Sequence, residues 1–272
     1  MSRYIKIYKP FINAGMQEAV AYRVDWIFGV LGYVLTCFIS YFIWNAVFIS
    51  SGSNTLTEFT MSDMVLYIFL IFLTNVLIGS NGTYNVGMEI RDGSIAMRLI
   101  KPISYNSTFL FQELGNKIML AGLIIVPIVL GVEIFRIFYM GENQFDILRL
   151  GMYFFSCIFA YLVNFFFNIC FGFITFVFKY LWGANMMKEC IVGFLSGSLI
   201  PLAFLPGTLE KVLLFLPFAS LNYTPVMIYM RKYSGTEMLS YIGLQVFWCI
   251  ALWMLSKFIW KISIRHLNIQ GG

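Results

Sequence analysis

The stretch Glu89-Ile90-Arg91-Asp92-Gly93-Ser94-Ile95-Ala96-Met97-Arg98-Leu99-Ile100-Lys101-Pro102 is the densest run of charge between two long apolar segments. Asp92-Gly93 is a turn signal, because Gly enters φ > 0 without steric cost. Ser94 then stands where it can cap a short helix by accepting a hydrogen bond from a freed backbone N–H. Ile95, Leu99 and Ile100 form an apolar edge of that helix, with Arg98 beside it. Pro102 ends it, because the residue before a proline is pushed out of the α region. A helix of about two turns is unstable alone. It must lean on lipid headgroups, on the rest of the chain or on another protein, and its chemistry is recognition rather than bond making.

A second group of polar residues lies inside an apolar run: Asn75, Ser80, Asn81, Thr83 and Asn85. Polar side chains at such depth face protein or a cavity. Asn75, Asn81 and Tyr84 are the candidates for a substrate pathway, with helix–helix hydrogen bonding as the alternative. Glu113 and Lys117 are four apart with Glu first, the favourable order for an ion pair on a helix. A charge at mid-bilayer costs about 2.5–3.5 kcal/mol on insertion scales, so the pair belongs near the cytoplasmic surface, as a structural anchor before a proton relay.

Catalytic chemistry has little to work with. The single His, His266, lies near the C-terminus, and no G-x-x-x-x-G-K-[ST] occurs. A His-based metal site, a Ser-His-Asp set and a P-loop are therefore not expected. We expect no catalytic residue, no metal and no cofactor in this chain. The five Cys (37, 157, 170, 190 and 249) all sit in apolar runs without a C-x-x-C pair and read as buried free thiols.

The elements that must hold these groups are membrane spans. The chain is 60% hydrophobic and 11% charged, against about 25% charge in soluble domains. Residues 1–26 carry an amphipathic pattern, with Pro10 suited to a first helical position and residues 10–24 lying in the cytoplasmic interface. Residues 27–49 form a first span without a charge, long enough for a hydrocarbon core of about 30 Å. Further spans are expected near 63–89, 118–135 (kinked at Pro127), 147–178, 190–205 and 239–262. Asn164 and Asn168 share one face of the fourth. Gly193-Phe194-Leu195-Ser196-Gly197 in the fifth has the spacing of a close helix approach. Residues 179–189 read as a charged loop. Pro201, Pro206, Pro217 and Pro225 bracket an apolar stretch too short to cross, and residues 201–225 read as a re-entrant outer-leaflet hairpin.

The expected fold is thus an all-α membrane protein with six transmembrane helices in a single unit over 1–272. Thirteen of the 18 Lys and Arg fall in alternate loops on one side. That side is cytoplasmic by the positive-inside rule, and it holds both termini and residues 89–106. Topology accounts for the net charge of +5 without nucleic acid. No cleavable leader is expected at the N-terminus.

This layout resembles the permease subunits of type-2 ATP-binding-cassette exporters over nearly the whole chain. The resemblance is carried by Ala21-Tyr22-Arg23-Val24-Asp25-Trp26, by Arg91-Asp92-Gly93-Ser94 with Leu99-Ile100-Lys101-Pro102, and by the terminal Gln270-Gly271-Gly272. It implies a bacterial plasma-membrane protein that pairs with a second permease, identical or paralogous, and with two cytosolic ATPases that bind ATP and Mg. It also implies that residues 92–101 form a coupling helix seated in the ATPase, with Arg91, Arg98 and Lys101 flanking the apolar edge. Spans 1, 2 and 5 would shift to open a path. An ion-coupled carrier or channel and a membrane-embedded enzyme are the competing readings.

Overall fold

Within lipid a single segment must satisfy its own backbone, which only a helix does. The computed structural model describes residues 2–100, 103–141, 146–178 and 181–264. Lys101, Pro102, Lys179, Arg265, His266 and the terminal Gln270-Gly271-Gly272 lie outside the described residues. The helices are α1 (Ser2–Ala21), α2 (Arg23–Ser51), α3 (Met61–Ile78), α4 (Gly82–Asp92), α5 (Ile95–Leu99), α6 (Tyr105–Leu120) and α7 (Val126–Tyr139). They continue with α8 (Ile147–Gly172), α9 (Trp182–Leu195), α10 (Gly207–Phe215), α11 (Tyr223–Tyr229) and α12 (Gly235–Ser263). A two-stranded hairpin, β1 (Thr55–Leu56) and β2 (Phe59–Thr60), pairs Leu56 with Phe59. Thr60 then caps α3 in a reciprocal box with Asp63.

By length and apolar composition, four stretches can cross a membrane: Arg23–Ser51, Met61–Asp92, Ile147–Phe176 and Gly235–Ser263. The other two expected spans are interrupted or short. A π-turn at Ala121–Ile125 separates α6 from α7 just before Pro127. Pro127 has no N–H for the carbonyl four residues back, so the ladder opens there. From Trp182 onward, the charged loop expected at 179–189 is instead the start of α9, which ends at Leu195; residues 179 and 180 lie outside the described residues. Gly197 has φ +79 and is not helical. The N–H of Ser198 returns to the Gly193 carbonyl at 3.1 Å, which closes the helix end. The second Gly of the G-x-x-x-G spacing is therefore a terminator and not part of a helix face. Its Cβ would meet the Tyr223 ring and the Tyr67 hydroxyl at 3.1–3.2 Å.

The core runs along α8. One cluster joins Met64, Leu70, Tyr153, Val226 and Met227. The other joins Val86, Ile95, Tyr105, Phe165 and Phe173. By contrast α2 is exposed along most of its length; Tyr33 packs on Phe72, Trp44 on Phe204, and Phe48 joins the first cluster. Cys157 and Cys170 are buried, Cys37 and Cys249 half-buried, and Cys190 exposed on the apolar face of α9. That last thiol corrects the expectation of burial.

Charge is also buried at the far end of the bundle. Arg136 is fully buried and pairs with Glu133 at 3.0 Å. The Tyr229 hydroxyl donates to Glu133, Arg149 Nε donates to the Tyr229 carbonyl, and Arg231 pairs with Asp146. The Arg149 backbone N–H and the Arg231 guanidinium hold the Asp146 carboxyl below the usual carboxylate range. Three of the five cations expected outside thus brace α7, α8 and α11.

Helix α1 begins at Ser2 and runs through Pro10, so Pro10 is not its first residue. An interior proline costs roughly 3 kcal/mol. Packing against α6 on both sides of Pro10 offsets that cost, through Tyr8 stacked on Phe111 and Gln112 donating to Glu18 at 2.9 Å. The two helices cross backbone to backbone at Gly15 and Gly115. A Cβ on Gly15 would overlap the Gln112 carbonyl, and one on Gly115 the Ile12 carbonyl. Gly115→Ala is expected to push α1 off α6 and cost about 1–3 kcal/mol. Limited proteolysis of α1 in membranes should speed up, and an unchanged cleavage rate would count against this packing.

Candidate coupling helix and polar pathway

The turn into α5 is made by Gly93 at φ +79, as Asp92-Gly93 predicts. The cap is not. Ser94 is itself helical and its side chain makes no cap bond. Instead the Asp92 carboxylate accepts from the Ser94 N–H at 2.9 Å, because a free carboxylate two residues back is the stronger acceptor. Arg98 fixes the helix to its neighbours. Its Nε lies 2.6 Å from Glu89 Oε1 on α4, its Nη1 donates to Thr108 at 2.6 Å on α6, and its guanidinium covers the Phe109 ring at 4.1 Å.

That clamp decides which face of α5 is offered outward. Ile95 is 2% exposed and sits in the core, and Leu99 is half-buried. Met97 is 67% and Ile100 78% exposed. The expected apolar edge of Ile95, Leu99 and Ile100 is therefore corrected: Ile95 faces the chain's own interior, and Met97, which sequence reasoning passed over, joins Ile100. Positions 97 and 100 are three apart and share a face, which was the available signal. Arg91, Asp92 and Ser94 are exposed beside them.

The second constellation forms where α3 gives way to α4. The run expected as one continuous span is broken at residues 79–81. Glu113 fills the break. It accepts from Ser80 Oγ at 2.9 Å, from the Asn81 N–H at 3.0 Å and from the Tyr161 hydroxyl at 3.0 Å. Lys117 donates to the Gly79 carbonyl at 2.6 Å and lies 4.6 Å from the Tyr161 ring. Between them Glu113 and Lys117 satisfy one backbone N–H and one backbone carbonyl of the break, and Glu113 also ties Ser80 to Tyr161. The ion pair expected within one helix is not among the salt bridges of the described residues; both side chains instead hold the break.

Two cavities flank this point. One, of about 350 Å³, is lined by Asp25, Tyr33, Asn75, Asn81, Glu113 and Lys117 among others. The other, of about 320 Å³, shares Tyr33, Asn75 and Ser80, and extends past Asn164, Lys188 and Ser198 to Asn222. Lys188 donates to Asn168 Oδ1 at 2.6 Å and to Thr83 Oγ1 at 3.1 Å. Asn75 reaches Ser198 Oγ at 3.4 Å. Asn75 and Asn81 are brought together at one cavity. Tyr84 is not: it is 66% exposed and lines a separate cleft with Arg91 and Trp182. Tyr84 lies in the first turn of α4, on the side that lines that cleft. Tyr33, Lys188 and Asn222 were missed because they come from helices distant in sequence. Among the described residues, no group of three or more His, Cys, Asp or Glu is placed to hold a metal ion.

The comparison with known families says which kind of helical membrane protein this is. The family model described as ABC-2 family transporter protein matches residues 34–271. The chain belongs to this family. No curated protein and no solved structure matches it. As an ABC-2 transporter protein it is a multi-pass membrane permease of an ATP-binding-cassette system. Such permeases are generally non-catalytic and work with ATPase subunits.

Proposed function

We propose that this ABC-2 permease is the exporting subunit of a bacterial plasma-membrane complex of two permeases, identical or paralogous, and two cytosolic ATPases. The ATPases bind ATP and Mg, and α5 with its flanks (Arg91, Asp92, Gly93, Ser94, Lys101 and Pro102) docks on them. The chain crosses six times, using α6–α7 and α9 besides the four long stretches, with both termini cytoplasmic. Residues 201–225 dip into the outer leaflet as a broken hairpin. The observation that carries this reading is the clamp on α5. A five-residue helix is too short to hold itself, yet Glu89 and Thr108 pin Arg98 from two sides while Met97 and Ile100 stay uncovered. A rigid lever with an apolar tip is what a partner needs in order to push.

Force on α5 passes along α4 to the break at residues 79–81, where Glu113 joins it to α6 and α8. The cavities meet there, so a shift of α4 changes their shape. Cargo moves past Asn75 and Asn81 in this scheme. Glu113 in the cleft is also the group an ion-coupled carrier would use, so the test separates the two. Vesicles holding the purified permease alone, with a trapped pH-sensitive dye, are expected to show no proton flux beyond empty vesicles under an imposed gradient. The tagged chain purified from native membranes is expected to bring vanadate-sensitive ATP hydrolysis with it. Proton flux through the lone chain, with no associated ATPase, would overturn the proposal.

A further inference from the structure

A cavity of about 360 Å³ opens between α5, the start of α6 and the last turns of α12, away from the polar pathway. Ser104, Ser107 and Lys257 line it, with Trp253 and Trp260 as its aromatic walls, and no carboxylate borders it. Arg98 reaches it too, but Glu89 already neutralises that charge. Lys257 is different. It is exposed, its Nζ lies 3.6 Å from the Trp253 ring centroid, and it makes no ion pair among the described residues. Asn106 also borders the cavity, and its Nδ2 donates to Ser256 of α12 at 3.1 Å. Around the opening α12 exposes Met254, Leu255 and Phe258.

We propose that this cavity binds the phosphodiester headgroup of an anionic, hydroxyl-bearing lipid such as phosphatidylglycerol, in the cytoplasmic leaflet. Basic pockets between transmembrane helices on the cytoplasmic side select anionic headgroups, and Trp rings settle at headgroup level. Lys257 and the two serines meet the phosphate and the glycerol hydroxyls of the headgroup. The apolar flank of α12 commits the site to a lipid, since a free phosphate would leave Met254 and Phe258 uncovered. Because Arg98 and Leu99 border the same cavity, the lipid rests against the coupling helix and stiffens the corner of α5, α6 and α12. The leaflet rests on the orientation proposed above; the headgroup chemistry does not.

The test uses the purified full-length chain, titrated with phosphatidylglycerol or phosphatidylcholine of matched acyl chains and read by native mass spectrometry. Phosphatidylglycerol is expected to be retained about fivefold more tightly, the effect of one lysine near the surface. Lys257→Gln brings the ratio to about one and Lys257→Arg keeps it. Lys261→Gln, one turn on and outside the lining, also keeps it. Equal retention of both lipids by the native chain overturns the proposal. So does an equal loss in Lys261→Gln, which would mean diffuse surface charge, and so does displacement of the lipid by excess inorganic phosphate. Retention is measured without ATPase present, so failure here and failure of the coupling reading are separate results.

Discussion

A permease carrying Met97→Asp and Ile100→Asp is expected to insert and fold in full yet arrive without its ATPase. Both side chains point away from the chain's own core, so the bundle has little to lose. Each is worth about 1.5–3 kcal/mol when buried against a partner. Replacing both with carboxylates weakens the complex at least about a hundredfold, since about 1.4 kcal/mol is a factor of ten. Co-purified ATP hydrolysis should fall to background while the membrane yield stays constant. Ile95→Asp is expected to behave in the opposite way. It places a charge among Val86, Tyr105 and Phe173, so the chain itself loses stability and yield. Full ATPase recovery with the double mutant would remove α5 as the docking element.

Glu113→Ala is expected to be the most damaging single change in the pathway. The carboxylate accepts three hydrogen bonds from three different origins: a serine side chain, a backbone N–H freed by the break, and a tyrosine on α8. Its removal orphans all three and leaves Lys117 without its neighbouring charge. The cost is about 3 kcal/mol or more, the range for removing one member of a buried polar network. For a chain of this size that corresponds to a fall in melting temperature of roughly 6–12 °C. Tyr161→Phe removes one bond and is expected to cost about 1 kcal/mol. Thermal unfolding of the purified permease in detergent checks both. A Glu113→Ala chain that melts with the native one would mean that the break holds without its clamp.

The two changes act at opposite ends of one element. Helix α4 starts at the Glu113 clamp and ends at the α5 lever, so a change at either end should disturb how the other is held. The lever is stiff because Arg98 is tied to α4 and α6 together. The hinge is held because Glu113 accepts from the Asn81 N–H, the Ser80 hydroxyl and the Tyr161 hydroxyl together.

Residue order alone settled whatever depends on near neighbours. Long runs without charge meant spans, because burying charge in lipid is costly. Asp92-Gly93 meant a turn, and Gly93 does take a positive φ. Asn164 and Asn168 were expected on one face, and Asn168 does donate to Asn164 at 2.9 Å. The proline-rich segment was expected to be broken, and α10 and α11 are short helices separated by irregular chain. Folding in three dimensions decided whatever depends on a partner far along the chain. The face that α5 presents is set by Glu89 and Thr108, nine and ten residues from Arg98. The break between α3 and α4 is held by Glu113, more than thirty residues on, which accepts from the Asn81 N–H and the Ser80 hydroxyl. Lys188 and Asn222 join Asn75 around one cavity for the same reason, while Tyr84 lines a separate cleft. Helical periodicity tells which residues share a side, but only packing tells which side faces in.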